Sequence, residues 1–373
     1  MIRFIKILWG FYMEDIEFLK LGLGDEESEI LNSNIIGYKK DLNKVLSEAR
    51  KASKPEKCIY CGKETTSFCN SHSIPAFCLR NIATNGELLH SNKLVNFPLM
   101  DFEKGINKAG TFQVICRECD SKIFQEYEEP NNYQNEVTPQ MIAQIAMKNY
   151  LKAISKRVNE HAIFDIIKER AYESTEFTDY MQYIQDVDLN EYKQGFEKAK
   201  RLSKRNWPGE YHVFYYEKLN YVVPIAFQST LSLVVDLDGQ VVNDIYYENP
   251  KYKLEDFHIC IFPFKDTSVV MMFVDSAYKR YRNFYKKFKK LSKEEKLSIA
   301  NYIVFLYSED IFFSKEIPSD ILQNKDLVDV SKQSSMAISS NSFTKAIEKA
   351  KDIYDLSKHK KIPNLLSEKY KLR

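Results

Sequence analysis

The spacing of apolar residues between positions 137 and 205 is typical of helices, because apolar side chains recur there every three or four residues. Thr138 followed by Pro139 is a helix start signal, with the threonine as N-cap and the proline in the first turn. We expect three helices in this segment, over about 138–154, 158–172 and 176–204.

The pattern changes over residues 210–275, where β-branched and aromatic runs replace the helical spacing. The connections between these runs are short. Residues 236–239 have the composition of a hairpin turn, after which residues 240–247 are expected to return as a strand. Short connections predict an antiparallel β-meander of five or six strands.

The remaining segments add helices on both sides of these two regions. Residues 41–52 and 276–325 have helical spacing, and Ser292 with Glu295 forms a capping box. Residues 87–110 are expected to be irregular, and a charged helix over about 343–360 precedes a basic tail.

Composition and charge narrow the class of protein without naming a partner. The chain has 373 residues, 44% of them apolar, which is enough for a sizeable core. Its net charge of +2 does not predict nucleic-acid binding, so any such surface must be local. Arg3 and Lys6 interrupt the N-terminal apolar run, and no apolar run reaches the roughly 20 residues of a membrane helix. We expect a cytoplasmic protein without a membrane segment, for which either Met1 or Met13 could be the native start.

Two Cys-x-x-Cys pairs are the strongest chemical signal in the sequence. Cys58 and Cys61 form the first pair, and Cys116 and Cys119 form the second. Each turn directs two sulfur atoms at one point, so two turns supply the four thiolates of a closed tetrahedral zinc site. The odd total of seven cysteines and the lack of a secretory signal favour metal over disulfides. The sequence therefore predicts a structural zinc ion on these four residues.

Cys69 and His72 leave the ligand set open, because their spacing also suits zinc. We favour the two matching CxxC pairs and expect Cys69 and Cys78 to be packing residues. His72 then has three interpretations: a zinc ligand, an N–H donor that braces the zinc loop, or a catalytic base.

The residues between and after the two pairs resemble a known family. Ser71-His72-Ser73-Ile74-Pro75 follows the first pair, the strand-like segment 111–115 leads into the second, and Asp120 comes directly after it. This order resembles the HNH nucleases that contain a zinc-stabilised ββα-metal finger. More narrowly, it is similar to a group of uncharacterised bacterial proteins with a Ser-His-Ile-Ile-Pro type motif and a Cys-x-x-Cys-acid motif. The resemblance covers about 70 of the 373 residues.

The resemblance implies roles for individual residues. His72 would be the general base that activates water, and Asp120 would hold a catalytic Mg²⁺ or Mn²⁺ from the helix. A later acid could complete that metal site, either Glu126 or Glu128. The sequence departs from the family pattern at Ser71, where an acid is usual, and at Thr111, where an asparagine is usual.

A basic and aromatic segment, residues 278–290, is the second candidate for function. Its aromatic residues recur every three or four positions and should form the buried face of a helix. The basic residues form either a solvated face or a surface that contacts nucleic-acid phosphates without reading bases. The candidates for phosphate contact are Lys279, Arg280, Arg282, Lys286 and Lys287.

The expected fold class is α+β. A zinc-stapled treble-clef or ββα module, meaning one held together by a bound zinc ion, is followed by helices, the antiparallel meander and C-terminal helices. The gap between His72 and Cys116 is longer than in compact HNH modules, so an insertion must be accommodated. The expected regions are an N-terminal helical segment (1–56), the zinc-binding HNH-like module (57–135), a helical plus antiparallel-sheet domain (136–328), a linker (329–342), and a C-terminal helix with a basic tail (343–373).

Two functions follow from these features. The first is a metal-dependent HNH-like endonuclease that hydrolyses phosphodiester bonds in DNA, in a bacterial defence setting by resemblance alone. The second is a non-catalytic zinc-stapled protein that binds nucleic acid, a protein partner or a second copy of itself. The nuclease needs an accessible second metal ion beside His72 and Asp120, whereas the binding protein needs only the zinc ion.

Overall fold

The computed structural model describes residues 32–94, 103–170, 175–247, 251–333 and 343–373, together with Glu29 and Asn249. These residues form two compact units that alternate along the chain. The first unit contains the described residues up to Ser73 and those between Thr111 and Pro208, and the second contains those between Ile74 and Gly110 and from Gly209 onward. The insertion expected before Cys116 therefore belongs to the second unit, while the five regions expected from the sequence stay predictions.

Helices and antiparallel strands both contribute to the described residues, so the fold class is α+β, as predicted. The α-helices are α1 (Ile35–Ala52), α2 (Ala76–Ile82), α3 (Arg117–Ile123), α4 (Gln125–Glu128), α5 (Pro139–Glu169), α6 (Thr175–Leu202), α7 (Arg282–Phe288), α8 (Lys293–Tyr307), α9 (Ser319–Leu322), α10 (Lys325–Ser331) and α11 (Phe343–Ile353). The strands are β1 (Ser71–His72), β2 (Glu87–His90), β3 (Glu103–Gly105), β4 (Thr111–Phe112), β5 (Tyr211–Leu219), β6 (Ile225–Leu231), β7 (Phe257–Pro263), β8 (Ser268–Asp275) and β9 (Phe312–Phe313). Short 3₁₀ helices span Ser91–Lys93, Ile106–Lys108, Pro130–Gln134, Leu356–Lys361 and Glu368–Tyr370.

α5 is one helix of 31 residues, so the prediction of two helices over 138–154 and 158–172 is wrong. The polar residues at 155–157 interrupt the apolar stripe, but no proline or glycine follows Pro139 within the helix. Its backbone hydrogen bonds therefore continue without a break. The predicted start is confirmed, because the Thr138 side chain accepts a hydrogen bond from the Met141 amide at 3.2 Å.

α5 packs closely against α6 in the first unit. Gly195 of α6 lies against the Tyr150 ring of α5, where an added methyl group would overlap the ring. Arg157 of α5 donates a hydrogen bond to Asp188 of α6 at 3.0 Å. α1 also packs on α5, through an apolar cluster of Val45, Ala49, Ala162 and Ile166.

A two-stranded antiparallel sheet and α3 give the first unit a ββα order. β1 pairs with β4, so that Ser71 lies opposite Phe112 and His72 lies opposite Thr111. α3 then begins directly after Cys116. These three elements position the residues of the cysteine region.

The second unit contains a seven-stranded sheet in the order β3-β2-β9-β6-β7-β8-β5, and each neighbouring pair is antiparallel. β6, β7 and β8 are sequential neighbours, as in the predicted meander. β5 differs from that prediction, because it pairs with β8 rather than with β6. β2 and β3 come from the segment 87–110, which was expected to be irregular. Spacing along the sequence identifies strands, but distant packing decides the partner of each strand.

Residues 240–247 form only an isolated bridge, so the strand predicted there is wrong. The Asn243 side chain bonds the backbone instead, because its amide donates to the carbonyls of Leu233 and Glu255 at 2.8 and 3.1 Å. A side chain thus satisfies the backbone groups that a strand partner would otherwise pair.

The C-terminal residues, expected to be a basic tail, belong to the core of the second unit. Leu365 and Leu366 are fully buried. The Val222 amide donates to the Arg373 carbonyl at 2.8 Å, so the chain end is bonded to the start of the β6 region.

The helices of the second unit differ from their predicted bounds at several ends. The capping box of Ser292 and Glu295 is confirmed at the start of α8. α11 ends at Ile353, before the expected end near 360. The linker expected over 329–342 begins inside α10, and its residues from 334 onward lie outside the described residues.

Candidate metal centre

Four cysteine thiols meet in the first unit. The Sγ atoms of Cys58, Cys61, Cys116 and Cys119 all lie within 4.8 Å of one another. Cys58 and Cys119 are buried, Cys116 is half-buried and Cys61 is exposed. The structure thus brings together the four residues that the CxxC spacing predicted.

Backbone hydrogen bonds hold the two CxxC turns in position. In the first turn the Gly62 amide donates to the Cys58 carbonyl at 2.8 Å. Gly62 has a φ of +72°, which glycine adopts without strain. The Cys116 amide of the second turn donates to Cys58 Sγ of the first turn at 3.3 Å, so the two turns are bonded to each other.

The four thiols have the chemistry of a site for a metal ion such as zinc. Zinc takes four thiolates in a closed tetrahedral arrangement. Without a cation, burial raises the pKa of Cys119, and the neighbouring thiols of Cys116, Cys61 and Cys58 raise it further. A divalent cation reverses this effect, because it binds thiolates and displaces their protons. Within the described ranges, no other group of three or more His, Cys, Asp or Glu side chains meets in this way.

Cys69 and Cys78 lie outside the thiol cluster. Cys69 Sγ donates to Asp120 Oδ2 at 3.2 Å, and burial together with that carboxylate raises the pKa of Cys69 to about 11. Cys69 is therefore a neutral hydrogen-bond donor at physiological pH. Cys78 is fully buried in α2, which belongs to the second unit.

Strand β1 separates the side chains of Ser71 and His72. Successive residues of a strand point to opposite faces, so these two side chains diverge. Ser71 is fully buried, and its hydroxyl donates a hydrogen bond to the Asp120 carboxylate. His72 is half-buried and lies opposite Thr111. The resemblance pairs His72 with Asp120, but Ser71 is the β1 residue that shares a face with the Asp120 carboxylate.

Lys148 of α5 is a central residue of this site that the sequence reasoning missed. Its side chain is only 1% exposed. Its Nζ donates to Ser71 Oγ at 2.9 Å and to Asp120 Oδ1 at 3.2 Å, and it pairs with Glu128 Oε1 at 3.1 Å. The ammonium also lies 3.6 Å from the centre of the Phe124 ring, within the range of a cation–π contact. We call Ser71, Asp120, Glu128 and Lys148 the Lys148 network.

The Asp120 carboxylate is ionised within the Lys148 network. Burial alone would raise its pKa, but the Lys148 ammonium and the hydrogen bonds from Ser71 and Cys69 outweigh burial and lower the pKa below its usual value. The network therefore joins a buried cation to an ionised acid, with Glu128 as a second carboxylate partner.

One sequence feature could have indicated this network. Every residue of the run 141–151 in α5 is buried, and Lys148 is its one charged residue. A buried ammonium is stable only with charged or hydrogen-bonding partners. A lysine in such a run therefore predicts buried acids, although spacing alone does not show which acids those are.

The five basic residues expected to contact nucleic acid differ in their surroundings. Arg280 pairs with Glu255 at 3.4 Å, and Lys287 forms an ion pair with Asp238. Among the described residues, the three others have no carboxylate partner: Lys279, Arg282 and Lys286. The predicted buried aromatic face is confirmed for Tyr281, Phe284 and Phe288.

Comparison with protein-family models, with curated proteins and with solved structures gives no match for this chain. In the part of the chain that the structure describes, no helix is both long and apolar enough to cross a membrane. The geometry of the cysteine region and of the basic helix is therefore the basis for a functional proposal.

Proposed function

We propose that the cysteine region is an HNH-like module stabilised by zinc, and that the protein binds nucleic acid without cutting it. The Lys148 network carries this proposal. In the family that the sequence resembles, the residue before the histidine and a residue on the helix hold the catalytic cation. The corresponding residues here, Ser71 and Asp120, instead contact the Lys148 ammonium at 2.9 and 3.2 Å.

An ammonium and a divalent cation would compete for the same oxygen atoms in this network. Magnesium requires near-octahedral oxygen ligands at about 2.0–2.1 Å and usually carboxylates among them. Lys148 lies within 3.2 Å of carboxylate oxygens of Asp120 and Glu128. Ser71 supplies a neutral hydroxyl where the family has an acid. Binding Mg²⁺ there would require a buried lysine to leave its partners.

The zinc ion has a structural role in this proposal. Four protein thiolates complete a tetrahedral site and leave no open position for a water molecule or substrate. The ion would link the turn at residues 58–62 to the start of α3. It would thereby stabilise the ββα region and the position of Asp120 at the end of the second CxxC turn.

Unpaired basic residues on the second unit support nucleic acid as the partner. Arg282 and Lys286 are exposed, and no carboxylate among the described residues neutralises them. Cations without acidic partners are available to phosphates, which provide most of the affinity in sequence-independent binding.

Binding and cleavage can be measured on the same samples. Zinc-loaded protein is titrated into fluorescent single- and double-stranded DNA, and parallel samples with Mg²⁺ or Mn²⁺ are examined for cleavage products. We expect binding without cleavage. With about three phosphate contacts, affinity should fall about 20- to 40-fold between 50 and 200 mM salt. Absence of binding at low salt, or affinity that does not change with salt, would overturn the binding proposal.

The second candidate is the HNH-like endonuclease with His72 as general base. The ββα order of β1, β4 and α3 favours it, as does the partial exposure of His72 in β1. In this candidate the Lys148 network would have to open for a cation to reach Asp120.

The endonuclease is tested with His72→Ala on plasmid DNA in Mg²⁺ or Mn²⁺, with His161→Ala as the matched histidine control. The nuclease would be established if the wild type and His161→Ala nick the plasmid but a folded, zinc-loaded His72→Ala does not. This result would overturn the non-catalytic proposal. Loss of zinc from His72→Ala would instead identify His72 as a brace or ligand of the zinc loop.

A further inference from the structure

A surface cavity of about 410 Å³ lies beside α7 in the second unit. Its volume is in the range of pockets that hold small organic ligands, and it exceeds the size of a single phosphate ion. The lining residues that matter for its chemistry are His212, Tyr278, Arg282, Tyr285, Lys286 and Lys289.

The helical spacing of α7 and its C-cap places three cations on the side that faces this cavity. Phe284 and Phe288 are buried in the apolar core. Arg282 and Lys286 of α7 and Lys289 at its C-cap, which has helical dihedral angles, are separated by four and three residues, which puts them on one stripe of the helix surface. The core contact of the aromatic residues thus fixes the direction in which the three cations point.

The charge of this cavity is not balanced by acids. None of the three cations has a carboxylate partner in the described part of the chain, and none of the residues that line the cavity is acidic. Arg280 and Lys287 on the same segment are paired with Glu255 and Asp238. Like charges at this spacing destabilise a helix slightly, so the arrangement is one that a bound anion would stabilise.

The walls of the cavity add aromatic and neutral groups to these cations. The Tyr285 ring lies 4.8 Å from the His212 ring and 5.8 Å from Lys289 Nζ. Burial lowers the pKa of His212, and the charge of Lys289 lowers it further, so the ring is neutral near pH 7. Tyr278 provides a second aromatic wall.

We propose that this cavity binds a nucleoside phosphate, with the phosphate on Arg282, Lys286 and Lys289. The aromatic walls contact the sugar or base, which accounts for a volume larger than phosphate alone. The nucleoside phosphate is either a free nucleotide or the end of a nucleic-acid strand. Binding of a strand end rests on the proposed nucleic-acid binding and specifies where the strand is held. Binding of a free nucleotide is independent of that proposal.

The test uses two double variants that remove the same charge from the full-length protein. Arg282→Gln/Lys286→Gln changes the cavity, and Lys290→Gln/Lys325→Gln changes exposed lysines outside it. The probes are AMP, a fluorescent single-stranded oligonucleotide with a terminal phosphate, and the same oligonucleotide with a terminal hydroxyl. We expect the cavity variant to lose at least about tenfold in affinity, as for one or two charge-assisted hydrogen bonds, and the control variant to lose less than about threefold.

The outcomes separate the cavity from the proposed function. Binding of AMP but of neither oligonucleotide supports the cavity with a free nucleotide and overturns nucleic-acid binding. Preference for the phosphorylated oligonucleotide supports the cavity as a strand-end site. Equal losses in both double variants overturn the cavity but leave nucleic-acid binding in place, and no binding of any probe overturns both. Lys289→Gln provides a second, independent change in the cavity and should weaken the same probe.

Discussion

Replacement of Lys148 by methionine tests the central feature of the candidate site. Lys148→Met keeps a long unbranched side chain but removes the ammonium from the oxygens of Ser71, Asp120 and Glu128. Loss of one partner from a buried ion pair costs about 3–5 kcal/mol. The Asp120 and Glu128 side chains are still 21% and 34% exposed, so water compensates in part and we expect a loss near 3 kcal/mol.

The assay must report on the unit that contains Lys148. Hydrogen exchange of the α5 amides does so, because it measures the stability of that helix without requiring the second unit to unfold. The matched control is Lys156→Met, an exposed lysine on the same helix, which should change stability by less than about 0.5 kcal/mol. Equal protection of α5 in both variants would refute the assignment of Lys148 as a structural cation.

A double-mutant cycle separates the ion pair from the packing of the side chain. Asp120→Asn also weakens the network, and in the double variant with Lys148→Met no unpaired charge is left at that oxygen. We therefore expect the double variant to be more stable than the sum of the two single losses predicts, by about 1–3 kcal/mol. Additive losses would mean that the 3.2 Å contact between Lys148 Nζ and Asp120 Oδ1 contributes little to stability. Zinc content measured in each variant shows whether the thiol cluster is intact.

Three further predictions test other parts of the structure. Cys61→Ser should reduce bound zinc to well below one ion per chain, because Cys61 belongs to the thiol cluster. Cys69→Ser should retain the zinc, because the Cys69 thiol donates to a carboxylate outside the cluster. Metal analysis of the two variants tests this difference. Burial lowers the pKa of His258 to about 3, so the unfolded chain binds a proton that the folded protein excludes. Stability present above pH 6.5 should therefore be lost by about 1.4 kcal/mol per pH unit as the pH falls from 6.5 toward 3, and His258→Phe should reduce that slope in denaturant unfolding; an unchanged slope would contradict this. Gly195→Ala should destabilise the first unit by about 1–3 kcal/mol, because the added methyl group meets the Tyr150 ring; unchanged α5 hydrogen exchange would show that the helices separate without cost.

The features that the sequence predicted well are those with a local cause. Each CxxC turn is fixed by a few neighbouring residues, so only the meeting of the two turns depends on the fold. The N-cap at Thr138 and the capping box of Ser292 and Glu295 are likewise complete within four residues. Such signals require no knowledge of distant contacts.

The features that the sequence did not predict depend on contacts between distant segments. The pairing of β5 with β8 joins residues between 49 and 64 positions apart, and no periodic pattern encodes that choice. Residues 240–247 do not form the predicted strand, and the Asn243 side chain instead donates to the backbone carbonyls of Leu233 and Glu255. The apolar pattern does not reveal these partners. The partners of Lys148 lie on three other elements, which is why only the presence of a buried charge, and not its network, could have been inferred.

The serine at position 71 and the lysine at position 148 can be understood together. With an acid at 71, three carboxylates would surround one point, and a divalent cation would balance them better than an ammonium. With Ser71, the hydroxyl donates to Asp120 and accepts from Lys148, so one residue satisfies both neighbours. Asp120 and Glu128 then need a single cation that is fixed to the fold, and Lys148 on the buried face of α5 supplies it. In the proposed binding protein, the Lys148 ammonium thus occupies the oxygen atoms that a catalytic cation would use.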